Sequence, residues 1–229
     1  IMYNRQLPLQ CAVSRILART GPYQSGGAWG CRDQAQDMLF LIDVCPERVR
    51  AHLYRMAAHQ YLEGDMQHWW HGFRGTRTRC SDDYLWFVVL LSVYYEKTKD
   101  KTLFEEEVSY LVSSELGAGE RERYEQPERS EVKENLLLHA KRCLDLFLCR
   151  GVGINGLPFM GSGDWNDGMD GVGNDGGESV WLAFFAISVF YKSFGMFEEN
   201  GIETGEWRDF CLKMYESIDE IKQKAENPD

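Results

Sequence analysis

The sequence is short of positive charge. It has 25 Lys and Arg against 36 Asp and Glu, a formal net charge of −11. Neutralising nucleic-acid phosphates takes clustered basic residues, so a nucleic-acid partner is excluded. No apolar run stands out as long enough to cross a bilayer, and no direct membrane contact is expected from this segment. No charged-then-apolar leader precedes the first apolar stretch, so no secretion signal is read and a cytoplasmic setting is expected. No CxxC pair occurs among the seven cysteines, which argues against a zinc framework. Cys11, Cys31, Cys45, Cys80, Cys143, Cys149 and Cys211 are scattered, mostly in apolar stretches, and read as reduced thiols. Sustained β alternation is also missing, and so is an internal repeat.

What is present is a helical pattern. The 229 residues, 44% hydrophobic and 27% charged, suffice for one large domain or two small ones. Apolar spacing predicts helices over Leu7 to Ala18, Asp33 to Val44, Pro46 to Leu62, Tyr84 to Lys97, Asp100 to Leu111, Val132 to Leu148, Ser179 to Phe194 and Trp207 to Lys224. Pro46 sits at a first turn, where its missing N–H costs nothing. Val49, Leu53, Met56 and Ala57 form the inner stripe of that helix. Ser81 is placed as an N-cap, with Asp82 and Asp83 facing the helix dipole. The fold class expected is all-α, built of antiparallel helical hairpins.

Four longer connections separate these helices. Gly117 to Ser130 is charged and reads as solvated. Thr20 to Arg32, Gly64 to Cys80 and Gly151 to Glu178 instead combine Gly, Trp, His, Arg and Asp, the composition of binding loops.

The richest segment is Gly161-Ser162-Gly163-Asp164-Trp165-Asn166-Asp167-Gly168. Its glycines admit close backbone approach, and Trp165 offers a flat face for a sugar ring. Asp164 and Asp167 supply carboxyls beside the apolar run Leu157 to Met160. A carboxyl against apolar surface tends to stay protonated, and glycoside cleavage needs such an acid. A tight turn and a cation loop are the competing readings; the acidic spacing fails the EF-hand pattern. In Gln24 to Asp37, Arg32 can fork onto two acceptors, while Asp33 and Asp37 can accept hydroxyl hydrogens from one helix face. The competing reading is an Asp33 N-cap with an Arg32 ion pair. In Gln67 to His71, Trp69 and Trp70 suit sugar stacking, although one of them can cap the core. His68 and His71 resemble half a metal site, but no third ligand is placed by sequence, so no metal is expected. Arg74, Arg77 and Arg79 suit an anion or surface ion pairs equally. Glu178 either serves the next helix start or supplies a second carboxyl.

Taken together, YQSGGAWGCRDQAQD, EGDMQHWWH, RTRCSDDYLW, GLPFMGSGDWNDGMD and GESVWL, in that order, resemble glycoside hydrolase family 94, from Tyr3 to about Phe194. That family comprises inverting phosphorylases of β-linked glucosides and the C-terminal part of cyclic β-1,2-glucan synthases. The wording around Arg32 is most similar to the β-1,2-glucan branch. The resemblance implies a partial (α/α)6 barrel, a six-hairpin toroid. It implies Asp167 as general acid, and Arg32 and Asp33, with Trp165, on the donor-side sugar. Asp37 and Asp164 fall in the same motifs as further substrate-binding candidates, and Arg19 matches the phosphate side. The implied reaction uses inorganic phosphate as co-substrate and an oligosaccharide or glucan as substrate, without metal or organic cofactor.

Three departures from the family pattern stand out. Asn155 replaces a usual His, Cys31 replaces a usual aromatic, and Val172 to Glu178 is one residue short. The helices predicted are also fewer than a closed barrel needs. The expectation is therefore a catalytic fragment, residues 1–229, lacking an N-terminal sandwich domain and the C-terminal part of the barrel. It is expected to be inactive alone. Its parent would be a phosphorylase, or a synthase attached to the inner membrane, and either could be a homodimer. An inverting hydrolase using Asp167 with Glu178, and a sugar-binding or structural fragment, are the alternatives.

Overall fold

The computed structural model describes residues 2–17, 27–72, 74–169, 172–173 and 176–226. The chain opens with α1 (Leu7–Cys11), flanked by π-helical stretches Met2–Gln6 and Ala12–Ile16. A short strand β1 (Trp29–Gly30) leads into α2 (Cys31–Leu39), followed by α3 (Pro46–Ala57). The hairpin β2 (Gln67–His71) and β3 (Arg74–Thr78) precedes α4 (Asp83–Thr98). Then come β4 (Glu107–Val112), β5 (Glu122–Glu125), β6 (Glu128–Asn135) and α5 (Leu136–Arg150). The chain continues with α6 (Val180–Glu199) and α7 (Gly205–Glu226).

The fold is predominantly helical, but it is not all-α. Strands β1, β2, β3 and β5 form one antiparallel sheet in that order, and β4 pairs with β6 in another. Two expected helices are thereby corrected. Asp100 to Leu111 holds one 3-10 turn, Lys101–Phe104, and then strand β4. The expected helix from Val132 begins only at Leu136, because β6 occupies the residues before it and Asn135 caps the start, accepting from Leu138 N at 3.1 Å. The supposed loops 64–80 and 117–130 carry β2, β3, β5 and the start of β6.

The core centres on α4. Leu85, Phe87, Val88, Leu90, Leu91, Tyr94 and Tyr95 are buried around its whole circumference. A helix apolar on all sides has to be enclosed, and α4 is: it packs against α2, α3, α5 and α6. Each such buried side chain contributes about 1.5–3 kcal/mol. The predicted inner stripe of α3 is buried as expected. Helix α6 corrects the reading of apolar runs: by length and composition it is long enough to cross a bilayer. Half of it is buried, where it packs on α4 and α7, while Val180, Trp181, Phe184 and Tyr191 stay exposed. Four of the seven free cysteines, Cys31, Cys80, Cys143 and Cys211, are buried.

Candidate active site

The segment 161–168 is fixed by backbone pairing to the residues before α4. Ser162 N donates to Arg79 O at 3.1 Å, and Ser81 N donates to Gly163 O at 3.0 Å. The Ser81 hydroxyl donates to the same oxygen at 3.2 Å. Ser81 is therefore not the expected N-cap. Asp82 holds that position, without a side-chain cap bond. Gly161 has φ +66°, and a Cβ there would lie 2.0 Å from Arg79 O. Only glycine permits both the left-handed backbone and the close approach.

Asp164 is buried, with both carboxylate oxygens engaged locally. It accepts from Asn166 N at 2.9 Å and from the Ser179 hydroxyl at 2.6 Å. Ser179 also caps α6 by accepting from Leu182 N, so the loop is moored to that helix start. Asp167 opens a 3-10 turn, Asp167–Met169, with its side chain 61% exposed. Both its oxygens accept from Arg32 Nη2, at 2.7 and 2.8 Å.

Arg32 lies in the first turn of α2 and is buried. Its Nη1 donates to Asp164 O at 2.7 Å and faces both oxygens of Asp82 at 3.4 Å. Burial works against its charge, but Asp82, Asp167 and Asp83 outweigh this and hold it above its ordinary range. Asp82 is fully buried and also accepts from Trp86 Nε1 at 3.0 Å. Burial, followed by the Asp83 charge, pushes the Asp82 carboxyl up to about 7 against the pull of Arg32. Asp83 turns the other way, its Oδ2 2.8 Å from His68 Nδ1. That carboxylate raises the imidazole well above its ordinary value, against the desolvation of the ring.

Asp33, Asp37 and Trp69 line one cavity of about 230 Å³, together with Arg15 and Gly30. Arg15 Nε donates to Asp37 at 2.9 Å, and its Nη2 lies 4.0 Å from the exposed Asp33 carboxylate. Asp33 does not cap α2, whose N-cap is Gly30 without a side-chain bond. Trp165 is 55% exposed, 6.4 Å from Trp181. Trp70 is a correction: it is 2% exposed and stacked on His59 at 4.2 Å, so it presents no face to a sugar. Trp69, its neighbour on β2, stacks on Tyr124 instead. Arg77 and Arg79 are committed to structure. Arg77 forks onto Asp65 at 2.7 and 2.8 Å, and Arg79 donates to three backbone carbonyls. Glu178 Oε1 accepts from Asn155 N at 3.0 Å, and Oε2 is buried without a partner among the described residues. Arg19 lies outside the described residues.

Sequence reasoning gave Asp82 and Asp83 only a helix-start role and assigned no part to Cys80 or Arg15. Cys80 lines a second cavity of about 360 Å³ with His68, Thr78, Ser162 and Asp167. The arrangement thus joins an exposed carboxyl clamped to a buried guanidinium with an open tryptophan and polar cavities.

Comparison with known proteins gives the family. Residues 1–226 match the catalytic domain of the glycosyl hydrolase 94 superfamily, and the chain belongs to that family. It is 40% identical over 187 residues, 80% of its length, to the cyclic beta-(1,2)-glucan synthase NdvB of Rhizobium meliloti (strain 1021). It is 27% identical over 160 residues, 67% of its length, to the solabiose phosphorylase of Paenibacillus borealis. To the 3-O-beta-D-glucopyranosyl-beta-D-glucuronide phosphorylase of that organism it is 26% identical over 156 residues, 66% of its length. These stretches make up 7%, 17% and 18% of the three relatives, so the chain spans a small part of their length.

Proposed function

We propose that this chain is part of the (α/α)6 catalytic barrel of an inverting glycoside phosphorylase acting on β-linked glucans, of the β-1,2 kind, with Asp167 as the proton donor. The observation that carries the reading is the placement of Asp167. It is an exposed carboxyl on a glycine-fixed turn, held by buried Arg32 and lining a cavity. In the reaction, Asp167 protonates the bridging oxygen while phosphate attacks the anomeric carbon from the opposite face. An inverting hydrolase needs a second carboxylate to activate water. Phosphate is itself an anionic nucleophile and needs none. The product is α-glucose 1-phosphate. Asp33, Asp37, Trp69 and Trp165 are the sugar-contacting groups in this reading, and Arg19 is a phosphate ligand.

Both oxygens of Asp167 accept from Arg32. To act as the acid, Asp167 has to free one oxygen from the guanidinium and take up a proton there from solvent before it addresses the bridging oxygen. The hydrolase reading is less well supported, because Glu178 is bonded into the turn at Asn155. The test is incubation of the full-length parent with β-1,2-glucan, with and without phosphate. Phosphate-dependent release of α-glucose 1-phosphate is expected, falling about a hundred- to ten-thousand-fold in Asp167→Asn. Reducing sugar released equally without phosphate would overturn the proposal in favour of hydrolysis. Glucan binding without turnover in either buffer would leave a sugar-binding module.

A further inference from the structure

Three donors of different chemistry converge beside the loop. His68 comes from β2, Cys80 from the segment entering α4, and Asp167 from the 3-10 turn. Their ligand atoms all lie within 4.8 Å of one another. The three side chains line the same cavity of about 360 Å³, which gives an ion an entry path. We propose that His68, Cys80 and Asp167 form a site for a thiophilic divalent cation, with Zn²⁺ the fitting ion, and that its occupation is inhibitory because the metal takes a carboxylate oxygen of Asp167.

The donor set selects the ion. Imidazole, thiolate and carboxylate suit Zn²⁺, whereas Mg²⁺ and Ca²⁺ require oxygen ligands. Zinc bonds of about 2.0–2.3 Å place tetrahedral donors closer than the present spacing. The closing movement falls to Asp167, whose side chain is 61% exposed on a short turn. Three protein ligands leave the fourth position to water. The supporting contact is also in place. His68 Nδ1 is bound to the buried Asp83 carboxylate at 2.8 Å, which fixes the ring and leaves Nε2 for a metal. Metal-binding histidines characteristically give their second nitrogen to such a carboxylate.

Binding expels the Cys80 thiol proton and the Nε2 proton of the charged His68 ring, both to solvent. The Nδ1 hydrogen stays on the ring, donated to Asp83. No group is oxidised or reduced, and the second Asp167 oxygen keeps its bond to Arg32. Neither histidine spacing nor cysteine spacing in the sequence discloses this grouping, because its members come from three separate segments.

The site is tested on the reduced, metal-free 229-residue chain with Co²⁺ as probe. One equivalent is expected, with a thiolate-to-cobalt charge-transfer band and intense tetrahedral d–d bands, both abolished by competing Zn²⁺. Cys80→Ser removes the charge-transfer band, and His68→Gln removes tight binding. Asp83→Asn keeps the band but weakens binding about 10- to 100-fold. Circular dichroism melts establish that each variant is folded, and any one folded variant suffices for the comparison. Absence of stoichiometric cobalt binding, or an unchanged band in folded Cys80→Ser, would overturn the proposal. The inhibitory consequence rests on the Asp167 assignment above, but binding is read without turnover. A failed assignment and a failed metal site are therefore distinguishable.

Discussion

Arg32→Met removes the guanidinium that faces Asp82, and its cost should depend on pH in a defined way. Asp82 is fully buried, with its carboxyl up at about 7. An unfolded Asp titrates near about 3.9. Between these values the folded protein binds more protons than the unfolded one. The stability held at this group is therefore full below about pH 3.9 and is lost as pH rises through about 7. Wild type and variant share this slope up to about pH 7. Above it, wild-type Asp82 is ionised and the loss stops. In the variant the carboxyl, without its counter-charge, rises further and the loss continues at about 1.4 kcal/mol per pH unit.

The difference between the two proteins should then be flat from about pH 5 to about pH 7. Its size there is about 2–3 kcal/mol, set by the lost charge-assisted hydrogen bond to Asp164 O. Above about pH 7 it should climb toward the roughly 3–5 kcal/mol cost of breaking a buried ion pair. Urea unfolding followed by tryptophan fluorescence at a series of pH values measures this. The double variant Arg32→Met with Asp82→Asn should abolish the climb above about pH 7. A single-variant difference independent of pH from about 5 to about 9 would refute the placement of Asp82 against Arg32.

The two adjacent tryptophans should respond differently. Trp70→Ala should cost about 3–5 kcal/mol of stability in urea unfolding, whereas Trp69→Ala should cost far less and weaken glucan binding by calorimetry. Gly161→Ala combines a left-handed backbone with a clash on Arg79 O and should lose at least about 1–3 kcal/mol in a thermal melt. Burial holds His52 down to about 3 and His59 and His139 to about 4. Unfolding therefore takes up protons at these rings between about pH 6.5 and about pH 4. Their contribution is complete above about 6.5 and lost as pH falls, and it outnumbers the opposite term from Asp82. Net stability should decline over that interval in pH-stepped urea titrations, by about 1.4 kcal/mol per pH unit for each net proton.

Much of the helical framework was legible because period and length agreed. Helix α3 begins at its proline, and α4 reads as a continuous apolar run. The strands were hidden for physical reasons. Phe104, Val108 and Leu111 recur at helical spacing, although the last two lie in β4. Strand β6, Glu-Arg-Ser-Glu-Val-Lys-Glu-Asn, is largely solvated and made mostly of Glu, Arg and Lys, which favour helix, so it shows no alternation. Strand β3 is buried at four successive positions and shows none either. Missing β2 had a cost at the site. Successive residues of a strand point to opposite faces, so only one of Trp69 and Trp70 can be open. The motifs brought Arg32 and Asp167 to notice, but no local pattern reveals that Asp82 and Asp83 serve different partners.

That divergence also bears on how the protein acquires its site. Arg32 is 50 residues from Asp82 and 135 from Asp167. Helices form locally and early, while contacts across such separations wait on costly chain closure. Asp167 and its clamp therefore belong to the late stage of assembly, and a chain that has regained its helical signal in refolding still lacks that pairing.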